Sequence, residues 1–259
     1  MKNAFCLAKK EVSSSLNSWS GIFSLTFFLM LSGLFFSLLV LSYAKISVDA
    51  AHAPAQEIKN LSLTRFIFGS FFLNLAAILI FLVPALTMRS FSEERKQQTL
   101  ELLFTYPLSD FEIVWGKFLG LVWFIEGALL LTAIYPLGLH FLFKVPLDWA
   151  PILMGYLGFW LLANAYLALG LFISSVAENQ VVSAVLSFAA LVIFWIFDWA
   201  AQIAEGRWAQ FISALSPYGH YREFTLGIFD LSHTAYFILF HLFFIFLTLR
   251  AVESRHWKV

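Results

Sequence analysis

Six apolar runs separated by polar stretches set the pattern of the chain. They cover residues 22–43, 66–88, 118–139, 152–174, 181–199 and 235–249. At about 1.5 Å of helix rise per residue, most can cross a ~30 Å hydrocarbon core. The last is short and borrows Leu231 or Arg250 at its ends. None alternates polar with apolar positions, which argues against a porin-like barrel. A segment in lipid must satisfy its own backbone hydrogen bonds, so each run is read as a helix. The predicted fold is therefore an all-α integral membrane protein, with six transmembrane helices in one domain over 1–259.

The polar segments have patterns of their own. In the stretch 1–19, Phe5, Ala8, Val12, Leu16 and Trp19 share one helical face, and Asn3, Lys10, Glu11 and Ser14 share the other. This predicts an amphipathic helix lying in the membrane interface, although a plain charged leader would also carry these lysines. Within 89–117, helix formers dominate from Glu93 to Phe104, with Ser92 placed as N-cap and Glu93 and Glu94 in the first turn. Pro107 stops that helix. Ser109 and Glu112 then form a capping box, with Leu108 and Ile113 as hydrophobic staple. This second helix is expected to run through Gly116 and Lys117 into the third span, making 107–117 a stiff hinge. A solvated connecting loop is the plainer alternative. In 200–234, Trp208, Phe211, Ile212 and Leu215 follow helical spacing, Ser216-Pro217 interrupts it, and Gly227 is a C-cap. Two short outer helices are predicted, either re-entrant or capping the bundle.

Composition agrees with a membrane chain. It is 61% hydrophobic and only 12% charged, against about 25% charged in soluble domains. Net charge is zero, so nothing suggests a nucleic acid partner. The 31 Phe and 9 Trp suit lipid contact and interfacial anchoring. The single cysteine, Cys6, permits no intrachain disulfide. A cleaved leader is disfavoured, because the first apolar run is too long for a signal sequence and Ala51-His52-Ala53 lies well beyond it.

Basic residues choose the orientation. With the N-terminus inside, Lys2, Lys9, Lys10, Arg89, Arg95, Lys96, Lys117, Arg250, Arg255 and Lys258 are cytoplasmic. Lys45, Lys59, Arg65, Lys144, Arg207 and Arg222 are outside. The excess predicts both termini in the cytoplasm.

Ionisable groups inside spans usually face a bundle interior or a polar path. Glu126 lies nine residues beyond Lys117, and His241 nine before Arg250. Both fall roughly 13 Å from the cytoplasmic edge by helix rise. They are expected either to meet, to line one cavity, or to make structural bonds, with Glu126 protonated as a further option. Asn74 and Asn164 read as interhelical glue. Enzyme signatures are lacking: His220 and Glu223 give only H-x-x-E. Gly116-Lys117 lacks the upstream glycine and following hydroxyl of a phosphate-binding loop.

Several pieces together resemble a known family. Arg89-x-x-x-Glu93-Glu94-Arg95-x-x-x-Thr99-x-Glu101-Leu102-Leu103-x-x-x-Pro107-Leu108-Ser109, then Glu112-Ile113-Val114-x-Gly116-Lys117, resembles the cytoplasmic loop of ABC-2-type permeases. The resemblance is closest to the gliding-motility and nitrous-oxide-reductase-maturation subgroup. The run from Ser174 to Val181, the outer segment from Leu215 to Asp230, and the tail from Glu253 to Trp257 are similar to that subgroup in the same order. This resemblance implies a permease subunit in the bacterial inner membrane, pairing with a second copy and with cytoplasmic ATPase subunits. A periplasmic auxiliary protein is a further partner it allows. ATP and magnesium would be bound by the ATPase, with no cofactor in this chain. The helix 93–104 would be the coupling helix, with Arg89, Glu93, Glu94, Arg95, Thr99, Glu101, Leu103 and Phe104 as its contact residues, and 1–19 the elbow helix. A secondary transporter should show internal repeats, and none is evident. An intramembrane enzyme lacks a site, and a non-transporting anchor would lack an ATPase partner.

Overall fold

The computed structural model describes residues 2–51, 62–93 and 108–256. Every described element is helical. The N-terminal helix α1 is Lys2–Asn17, and α2 is Trp19–Ala51. A π-helical turn, Arg65–Gly69, opens the second span and continues as α3, Ser70–Thr87. The third span is α4, Asp110–Thr132, followed by the short α5, Ile134–Phe141. The fourth and fifth spans are α6, Trp149–Val176, and α7, Gln180–Ile203. Two short helices follow, α8 at Gly206–Leu215 and α9 at Pro217–Thr225. The last span, α10, is Leu231–His256. Six helices are thus long and apolar enough to cross a membrane.

Local chemistry explains most boundaries. Asp148 caps α6 through Ala150 N–H, and Asn179 caps α7 through Val182 N–H at 2.9 Å. At α9, Ser216 accepts from Gly219 N–H, and Pro217 takes the first helical position. The helix ends in a Schellman turn. Gly227 has φ +81, its N–H bonds Phe224 O, and Ile228 N–H bonds Glu223 O.

Three expected boundaries are corrected. The first span does not stop at Tyr43 but runs as helix to Ala51, because no Gly or Pro interrupts it after Gly33. The last span is not short; it extends from Leu231 to His256. The third is not one unbroken rod. Pro136 cannot donate to the carbonyl of Thr132 and crowds it, so the helix breaks at Ala133. The hydroxyl of Thr132 turns instead to Leu129 O and lies 3.2 Å from Tyr156 Oη.

The two central helices are α3 and α6. Their span windows are 67% and 78% buried, against 17% for α2 and α7. Small residues let α6 sit in the middle. A Cβ at Gly155 would fall 2.2 Å from the Phe72 ring, at Gly158 2.4 Å from Phe224, and at Gly170 2.5 Å from the Thr87 hydroxyl. This is the close backbone approach by which helices associate in lipid. The end of the bundle holding both chain termini is called the base below, and the opposite end the far end.

Candidate functional site

At the base, Glu93 and Leu108 flank the segment 94–107, and both flanks are fastened. On the Leu108 side, Ser109 is the N-cap of α4. Its hydroxyl accepts from Glu112 N–H at 3.2 Å, and its own N–H donates to Glu112 Oε2 at 3.3 Å. The expected capping box is therefore formed, with Ile113 fully buried one residue on.

On the Glu93 side, Lys117 is the central group. It was expected at the membrane edge, but it is buried to 1% exposure. Nζ donates to Ser90 O at 2.7 Å and to Glu11 Oε1 at 3.3 Å, and it lies 5.2 Å from the Phe91 ring centroid. A buried ammonium is costly unless it is paired in this way. One side chain on α4 thus holds α1 and the turn after α3. Ser174, near the end of α6, completes the clamp. Its hydroxyl accepts from the N–H groups of Phe91 and Ser92 at 3.2 and 3.4 Å. The Ser92 hydroxyl, expected as a helix N-cap, donates back to Met88 O. Arg89 and Glu93 make a looser pair at 3.8 Å.

The N-terminal helix α1 seats on α4 through its small residues. Ala4 and Ala8 are buried, whereas Phe5, Leu16 and Trp19 are 56%, 45% and 91% exposed. The reason is close approach: Cβ atoms at Gly116 and Gly120 would lie 2.8 and 2.6 Å from Leu7 and Glu11. Gly116, expected as a hinge, is a seat for α1.

Inside the spans, Glu126 and His241 do not meet. Glu126 accepts from the Trp160 indole N–H on α6. The ring beside His241 is Phe118, 6.4 Å away and two helical turns nearer the base than Glu126. No ion pair or hydrogen bond joins them among the described residues. His241 Nδ1 is buried without a hydrogen bond among those residues. Counting depth from Arg250 misled here, because α10 continues to His256 and His241 lies level with Phe118. Asn164 is buried and Asn74 half-buried, and neither bonds another span among the described residues.

The far end carries a second polar cluster. Asp198 near the end of α7 accepts from Arg222 at 2.7 Å and from Gln202 at 3.0 Å. Tyr221 donates to Phe72 O at 2.8 Å, pinning α9 on α3. His220 Nε2 donates to Ala214 O at 3.2 Å, which leaves Nδ1 to accept from His233 Nδ1 at 2.6 Å. Burial pushes the His220 pKa down, opposed by the Ala214 carbonyl and aided by His233. So α9 caps the bundle, while α8 buries none of its residues.

A family model described as ABC-2 family transporter protein matches residues 5–252. The chain belongs to the ABC-2 transporter family. It is a multi-pass membrane protein and the membrane subunit of a transporter. No curated protein matches it.

Of the residues expected to contact a partner of this ABC-2 protein, Arg89 and Glu93 are described. Glu94, Arg95, Thr99, Glu101, Leu103 and Phe104, with the helix stop Pro107, lie outside the described residues. Sequence reasoning missed Glu11, Ser90 and Ser174 at the base, and Asp198–Arg222 and His220–His233 at the far end. Their only sequence signal was a polar residue at the end of an apolar run. The partners lie 106 positions apart for Lys117–Glu11 and 82 for Ser92–Ser174.

Proposed function

We propose that this chain is the permease subunit of an ABC-2-type transporter, moving a substrate across the bacterial inner membrane with ATP hydrolysed by a separate cytoplasmic subunit. The base is the cytoplasmic side, as its basic residues favour. Two permease copies pair above two ATPase subunits, which bind the ATP and magnesium. Within the family, the gliding-motility and nitrous-oxide-reductase-maturation permeases are the subgroup it fits.

The observation that carries this reading is the double fastening of the segment 94–107. Its exit is tied through Ser90, Phe91 and Ser92 to α4, α6 and α3, and its return is locked by the Ser109–Glu112 box onto α4. A segment so held transmits displacement into the spans. The helix 93–104 docks on the ATPase, with Glu94 and Arg95 in polar contact and Leu103 and Phe104 packed at its end.

Co-purification with the co-expressed ATPase tests this. Reversing both charges (Glu94→Lys with Arg95→Glu) should abolish recovery of the partner. Ser109→Ala costs about 1 kcal/mol, so it should keep recovery but lower substrate-stimulated ATP turnover. Unchanged recovery and turnover in both variants would overturn the coupling role.

A further inference from the structure

Between α1, the start of α2 and the end of α3 lies a polar cleft of about 330 Å³. Lys10, Ser14, Ser18, Ser20 and Arg89 line it, together with Glu11 and Glu93. Its charges do not cancel. Glu11 is committed to Lys117. Glu93 stands 3.8 Å from Arg89 Nε, and that nitrogen is buried with no hydrogen bond among the described residues. Lys10 is exposed and has no ion pair among the described residues. Two cations, Lys10 and Arg89, therefore face one carboxylate, Glu93.

The cleft also sits at the N-terminus of α2, a helix of 33 residues. The positive end of its dipole points there. Ser18 caps the turn, accepting from Gly21 N–H at 3.0 Å, and Ser20 Oγ lies 3.3 Å from it.

Position supplies the remaining argument. Trp19, between Ser18 and Ser20, is 91% exposed, and Leu16 and Phe23 near it in sequence are exposed too. A tryptophan at the start of a span marks the headgroup level of a bilayer. A cationic, hydroxyl-lined cleft at that level meets phosphate in the form the membrane provides.

We propose that this cleft binds the phosphodiester headgroup of an anionic phospholipid. Lys10 and Arg89 flank the phosphate, and the hydroxyls of Ser14 and Ser20 donate to it. The acyl chains run along the exposed face of α2. The lipid then fastens α1 and α3 together beside Glu93.

Native mass spectrometry of the full-length protein in neutral detergent tests this. Phosphatidylglycerol and phosphatidylcholine with matched acyl chains are titrated, with and without inorganic phosphate. Wild-type protein should retain phosphatidylglycerol in preference to phosphatidylcholine. Each cation near a membrane surface contributes about 1 kcal/mol, so Lys10→Gln should cut the preference about fivefold and Lys10→Gln with Arg89→Gln about 25-fold. Lys45→Gln, at the other end of α2, should leave it intact. Lys10 is exposed on α1, so its single variant decides the matter even if the double variant fails to fold. An unchanged preference in Lys10→Gln, or an equal loss in Lys45→Gln, would overturn the proposal. Full displacement of the lipid by inorganic phosphate would also overturn it and assign the cleft to a free anion.

Discussion

Lys117 is where sequence and structure diverge most at the scale of a single residue. Its place before an apolar run marked it as an edge residue. In the fold it is a buried post, because Glu11 and the Ser90 carbonyl converge on it from elements remote in sequence. Local pattern carries no information on such partners. The Ser109–Glu112 box was legible for the converse reason: both halves lie within one turn, and the chemistry is local. Replacing Lys117 by Met should destabilise the protein by about 3 kcal/mol, since it strands Glu11 and the Ser90 carbonyl. Thermal unfolding in detergent would register this as a clear drop in midpoint. Adding Glu11→Leu should recover part of the loss, because the carboxylate then has no charge to miss. An unshifted midpoint for Lys117→Met would show that the buried contact contributes nothing. Gly155→Ala offers a packing counterpart. Its new Cβ meets the Phe72 ring at 2.2 Å, so a loss of about 1–3 kcal/mol is expected in the same assay.

Elements were legible where capping and punctuation are local, and less so where neighbours decide. The two outer helices, the Ser216-Pro217 break and the Gly227 stop all follow from turn chemistry, and all are present. The apolar face read for α1 contains Ala8, which is buried, and Phe5, Leu16 and Trp19, which are exposed; the close contact of Ala4 with α4 was not legible. In lipid the packed face of a helix is often its small-residue face. For α9 the element has a pH dependence. Burial lowers the His220 pKa, and its Nε2 hydrogen donates to the Ala214 carbonyl. A histidine with a depressed pKa in the fold contributes stability that is complete above its free value of about 6.5. That contribution is lost as pH falls below this value, because the unfolded or undocked segment takes up the proton first. Proteolysis across 206–230 should therefore accelerate, and its hydrogen-exchange protection relative to the intrinsic rate should fall, as pH drops below about 6.5. His220→Phe, which stays apolar at every pH, should flatten that dependence. A wild-type profile already flat across this range would remove His220 from the account.

At the scale of the whole molecule, six spans were legible because each is apolar on its own terms. Which spans form the interior was not. The fourth span has the lowest mean hydropathy of the six, 1.7, and is the most buried, whereas the fifth, at 2.3, is only 17% buried. In a soluble protein that order would be surprising. In a bilayer the lipid is as apolar as the core, so burial follows small side chains and close packing rather than hydropathy. Orientation likewise rests on the distribution of Lys and Arg and not on the spans. With an even number of spans, the base holds Lys2, Glu93, Leu108, the α6–α7 turn and His256, and the far end holds α8 and α9. Under the proposed function, the basic excess puts the base on the cytoplasmic side. Single cysteines at Gln97 and at Trp208, which is 72% exposed, placed in a Cys6→Ser background, test this directly. In intact cells an impermeant maleimide should label position 208 and spare position 97. In inverted vesicles the pattern should reverse. Labelling of both positions from one side would break the six-span count. The opposite pattern in both preparations would turn the molecule over, and with it the side from which an ATPase can reach 94–107.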